Sequence, residues 1–99
     1  MTDTEILTPF RQKIDQIDDQ IVDLLSQREG IIHQVAAIKH QHNIPAILQE
    51  RVDEVRDRCT QRAADNGSDS AFMAALYTQI IQFSCHLEQH YMDQENELK

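Results

Sequence analysis

Arg28 stands where an apolar residue is due. Apolar side chains recur at Ile17, Ile21 and Leu24, resume at Ile31 and Val35, and Arg28 falls on the line between them. Lys39 follows eleven residues later. At roughly 3.6 residues per turn that is about three turns, so it points the same way. A cation on a core-facing line is costly unless it is paired or holds a bound anion. Two chemistries stay open. One is an internal salt bridge to Asp23, Glu29 or a carboxylate of a partner helix. The other is a cationic site for an anionic ligand, where a planar guanidinium grips carboxylates. Removing a cation that is unpaired in the empty protein should leave stability intact or improved.

Other residues could join that chemistry. Arg11 lies about 100° around the helix from Arg28, so within one chain it serves a different face. In an antiparallel dimer it could reach a partner's site; otherwise it is a solvated surface arginine. Arg51 sits between Glu50 and Val52 near the start of a second helical segment and reads, alone, as exposed. Ser84 and Glu88 lie one turn apart beside an apolar stripe, the position of a solvated helix edge. His86 and His90 have the spacing of a zinc-chelating pair. No HExxH motif accompanies them and Glu88 faces elsewhere, so no metal site is expected.

These residues need helices to place them. Apolar residues at Phe10, Ile14, Ile17, Ile21, Leu24, Leu25, Ile31, Ile32, Val35 and Ile38 follow steps of three and four, the mark of one helical face. Thr8-Pro9 reads as the start of this helix. Asn43-Ile44-Pro45 ends it, because Pro45 pushes Ile44 out of the helical region. A helix from Pro9 to Gln41 is roughly 50 Å long, against a radius of gyration of about 13 Å for a compact domain of this size. It should pack against a copy of itself. A second helix starts near Gln49, carries Val52, Val55, Cys59 and Ala63, and stops at Asp65-Asn66-Gly67. A third is capped within Ser68 to Ser70 and carries Phe72, Met73, Leu76, Ile80, Phe83, Leu87 and Tyr91. Gly30, inside the first helix, suggests a close helix crossing. The ends, about 1–6 and 93–99, should fray.

The chain thus reads as all-α: three helices, a long first one, and a single domain over 1–99. The formal net charge of −8 argues against nucleic acid or an anionic membrane as partner, since phosphate binding needs clustered Lys and Arg. No apolar run approaches the ~20 residues of a membrane span. No secretory leader is visible, and Cys59 and Cys85 lack a disulfide framework and read as small core residues. A cytoplasmic location is expected.

Together these positions resemble the all-α class of chorismate mutases. The carrying stretches are Phe10 to Asp18 with its R-x-x-I-D-x-I-D pattern, Leu24-Leu25-Ser26-Gln27-Arg28, Val35 to Lys39, Glu50-Arg51-Val52, and Ile80 to Glu88. The resemblance runs roughly from Leu7 to Met92. It implies an intertwined homodimer with two sites and no cofactor. Each site would take Arg28, Lys39, Arg51, Ser84 and Glu88 from one chain and Arg11 from the other. The implied reaction is the rearrangement of chorismate to prephenate, in aromatic amino acid or aromatic secondary metabolism. Arg11 and Arg28 would clamp carboxylates; Lys39 and residue 88 would donate hydrogen bonds to the ether oxygen.

The pattern departs from many members of the class in two respects. Acidic residues that hold the ring hydroxyl are replaced by Leu48 and Val52, and Glu stands at 88 where many carry Gln. The apolar Val52 after Arg51, with Ile44-Pro45 before it, resembles isochorismate-pyruvate lyases and 4-amino-4-deoxychorismate mutases. The latter are also similar around Cys85-His86-Leu87-Glu88. A carboxylate cannot donate a hydrogen bond, so Glu88 could assist only when protonated, and the rate should fall as pH rises. The alternative outside catalysis is a helical dimerisation module, which gives no reason for Arg28 and Lys39 to share the apolar line.

Overall fold

The computed structural model describes residues 1–98, with three helices and no strand among them: α1 (Asp3–Gln41), α2 (Gln49–Asp65) and α3 (Ser70–Glu97). The all-α, three-helix expectation holds. The first boundary does not. α1 begins at Asp3, and Pro9 lies inside it. The residues before Pro9 supply their own start. Thr2 Oγ1 accepts a hydrogen bond from Glu5 N–H at 3.2 Å, in the Thr-x-x-Glu spacing of a capping box. Asp3 and Glu5 place negative charge on the first turn, where the helix dipole favours it. Thr8, expected as the cap, donates its hydroxyl to Thr4 O at 2.5 Å instead.

The other ends match the sequence signals. After α1, Asn43 takes a left-handed conformation (φ 57°). Ile44 N–H returns to Lys39 O at 2.8 Å and Asn43 N–H to His40 O at 3.4 Å, the paired bonds of a Schellman stop. Gly67 (φ 75°) ends α2 the same way, with Ser68 N–H on Ala63 O at 2.8 Å and Gly67 N–H on Ala64 O at 3.0 Å. A left-handed φ there is the reason for glycine. Asp69 caps α3, accepting from Phe72 N–H at 2.9 Å. α3 continues to Glu97, beyond the Met92 after which fraying is expected.

Where the length suggests one domain, the chain gathers into two units, Met1–Ile31 and Ile32–Lys99. The first is helical and carries the long apolar stripe exposed: Phe10 is 60% exposed and Ile17 54%. A contiguous apolar face of this kind marks an interaction surface. Within residues 9–31 Arg28 alone is half-buried and the rest are exposed. A Cβ built on Gly30 meets nothing within 4 Å, so the close crossing inferred for that glycine is not formed within the chain.

In the second unit α2 packs against α3. The core is small: Ala36, Ala46, Val55, Ala63, Ile81 and Met92. The face that α3 buries differs from its most apolar one. Phe72, Leu76 and Phe83 are exposed, whereas Ile81, Ser84, Glu88 and Met92 form the buried line. Both lines have helical spacing, and apolar character alone selects the wrong one.

Candidate active site

The end of α1, the loop after it and α3 converge on Lys39. Its ammonium lies 2.7 Å from Glu88 Oε1 and donates to Ala46 O at 2.9 Å. Glu88 and Ser84, expected on a solvated edge, are each only 5% exposed. The Ser84 hydroxyl donates back to Ile80 O at 3.0 Å on its own helix. One residue on from Lys39 and three on from Glu88, His40 on α1 and Tyr91 on α3 meet edge to face, with ring centroids 6.2 Å apart. Two adjacent contacts therefore fix the last turn of α1 against α3.

A buried ion pair of this kind is weak evidence for stability, because desolvating two charges offsets their attraction. Glu88 Oε1 is buried, and it receives no well-directed hydrogen bond. Its contact with Lys39 is a meeting of charges off the hydrogen-bonding directions. A buried oxygen left without a hydrogen bond suits a site that binds something. The pair also corrects one expectation. Lys39 is not an unpaired cation in the empty protein, so its removal will not leave stability intact.

The remaining candidates fall as follows. Leu48 is the N-cap residue of α2, and its carbonyl accepts from Arg51 N–H at 3.0 Å and Val52 N–H at 3.1 Å. Its side chain makes no cap. Val52 is half-buried and lines an open groove of ≈560 Å³ between α2 and α3, together with Ile47, Ile81, Cys85 and the more polar Gln82 and His86. Neither 48 nor 52 brings a carboxylate. Arg51 is exposed and pairs with Glu54 on its own helix. Such a surface pair contributes little and leaves the guanidinium available. Arg11 is exposed and Arg28 half-buried, both in the first unit.

The two cysteines are not joined in a disulfide, and both are half-buried. Among the described residues no group of three His, Cys, Asp or Glu side chains is placed to hold a metal ion. No helix there is long and apolar enough to cross a membrane. The Ala46 carbonyl was not legible beforehand, since a backbone group carries no residue signature; only the Asn43 and Pro45 turn signals hinted that the loop folds back.

A lysine held in place by a carboxylate and a carbonyl can bind an anionic group and stabilise negative charge on it. The family model described as chorismate mutase type II matches residues 10–89. The chain is 32% identical to a 4-amino-4-deoxychorismate mutase of Streptomyces venezuelae, over 97% of this chain and 93% of that protein. It is 30% identical to a 4-amino-4-deoxychorismate mutase of Streptomyces pristinaespiralis, over 90% of this chain and 69% of the relative. It is 29% identical to a chorismate mutase of Methanocaldococcus jannaschii, over 91% of each. No solved structure matches the chain significantly.

Proposed function

Because the chain belongs to the chorismate mutase type II family, we propose that it rearranges chorismate to prephenate at a site built around Lys39, without a cofactor. The observation that carries this reading is the half-buried Lys39 ammonium, held by Glu88 and the Ala46 carbonyl. The reaction breaks one carbon–oxygen bond and forms one carbon–carbon bond within a single dianion. No nucleophile is required. What it needs is a compact geometry and a donor to the ether oxygen as negative charge grows there.

Arg28 and Arg11 grip the two carboxylates, with Arg11 supplied by a second copy of the chain. The exposed stripe through Phe10, Ile14, Ile17 and Ile21 is the surface on which that copy packs. Lys39 and residue 88 face the ether oxygen, Arg51 and Ser84 complete the polar wall, and Leu48 and Val52 border the ring. Two cysteines, Cys59 and Cys85, outside any disulfide suit the cytoplasm.

A second reading has its own support. Leu48 and Val52 offer no carboxylate to a ring hydroxyl, and two of the relatives are named 4-amino-4-deoxychorismate mutases. An amino group in place of that hydroxyl would meet the apolar Leu48 and Val52 here, with the buried Glu88 carboxylate as a complement in charge. The ratio of kcat/KM for chorismate to that for 4-amino-4-deoxychorismate, measured on one preparation, decides between them. A ratio above one supports the first reading, and a ratio well below one supports the second.

Glu88→Gln tests the role of residue 88. In the structure Glu88 is the charge partner of Lys39, and a carboxylate cannot donate to the ether oxygen, whereas a Gln amide can. If residue 88 faces that oxygen, Glu88→Gln should raise kcat/KM for chorismate. An unchanged or lower kcat/KM removes residue 88 from the ether oxygen and leaves it as the partner of Lys39.

A further inference from the structure

We infer that Ala46 is a positioning residue: its carbonyl, presented by the loop between α1 and α2, sets where the Lys39 ammonium points. The inference rests on the reading of Lys39 as the donor at the reacting oxygen. A lysine has a flexible four-carbon stem and three equivalent donors, so its charge alone does not fix its direction. The contact with Glu88 is close, at 2.7 Å, but off the hydrogen-bonding directions. The bond to Ala46 O, at 2.9 Å, is the directed one.

The loop is built to hold that carbonyl. Ile44 N–H bonds Lys39 O at 2.8 Å, so the same loop grips the backbone and the side chain of one residue. Asn43 accepts the left-handed turn and Pro45 stiffens the next step. Ala46 is the one buried residue in the stretch from 41 to 51, at 4% exposure, while Ile44, Pro45, Ile47 and Leu48 are exposed. Its methyl group anchors the peptide whose oxygen meets Lys39. A bulkier side chain must displace that peptide, because a filled site yields only by moving backbone.

The test uses Ala46→Val in the full-length protein, alone and combined with Lys39→Ala. Displacing the ammonium should lower kcat by ~10-fold or more, the scale of a small misplacement at a reacting centre, with KM changed much less because the arginines bind the carboxylates. In the Lys39→Ala background the valine should cost no further kcat, although it lowers the melting temperature in both. Ala46→Ser, similar in size, should restore kcat. Ala46→Gly adds no bulk and releases the anchor, and it should show the same dependence on Lys39 if the valine chain does not fold. The Lys39 ammonium resonance, observed by ¹H–¹⁵N NMR without substrate, reads the geometry directly and should broaden or move in the valine and glycine variants. An unchanged resonance overturns the proposal whatever the activity. An equal loss of kcat in both backgrounds overturns it too. A wild-type protein with no turnover, in which Ala46→Val still shifts the resonance, sinks the catalytic reading of Lys39 and upholds the clamp.

Discussion

Lys39→Ala is expected to lower kcat/KM by about 10²-fold or more and to destabilise the protein by about 3–5 kcal/mol. The first figure is the scale of a lost, preorganised donor to developing negative charge. The second is the scale of a buried ion pair broken from one side, since Glu88 would stay buried as an uncompensated carboxylate. The two effects are separable. Lys39→Met combined with Glu88→Leu removes both charges and replaces them with apolar volume, which in buried pairs is often neutral or stabilising. That double variant should regain the lost stability and stay inactive. Activity returning with stability would mean that Lys39 matters only for folding. Arg28→Ala should lose activity on the same scale, because a guanidinium that grips a carboxylate has no substitute in an alanine.

Arg11→Ala and Arg28→Ala should each be inactive alone and active when mixed. If Arg11 completes the partner's site, a heterodimer of the two variants has one site with both arginines and one with neither. Random exchange makes half the dimers mixed and repairs one site in two, so about a quarter of the wild-type activity should return. The assembly that this needs follows from the stripe on the first unit. Phe10, Ile14, Ile17 and Ile21 are each close to half exposed or more, and leaving so much apolar surface in water is unfavourable by about 25 cal/mol per Å². Light scattering should give twice the 11.5 kDa of one chain. A monomer with full helicity, or no recovery after verified subunit exchange, would remove Arg11 from the site.

The helices were legible because their stops are local chemistry. Asn43 and Gly67 take the left-handed conformation, and Asp69 caps α3, as their residue types suggest. The start of α1 was misread because Pro9 is a strong signal, while the Thr2 hydroxyl that caps Glu5 N–H and overrides it is a weaker one. The chemistry was half legible. Lys39 stood out as a cation on an apolar line, a pattern that burial makes costly. Glu88 and Ser84 did not, because α3 carries two lines of helical spacing, and the more polar of them faces inward. Which line a helix buries depends on what packs against it, and that is not written in the helix itself. Nor is the Ala46 carbonyl, whose role comes from a loop geometry that any small residue could adopt.

Incubating the purified protein with chorismate and identifying the product by mass and NMR tests the central claim most directly. An isomer of unchanged mass, identified as prephenate and formed far faster than in buffer, is the expected result, and its formation should fall by about 10²-fold in Lys39→Ala. No conversion of chorismate by the folded protein, or a rate that Lys39→Ala leaves unchanged, would contradict it.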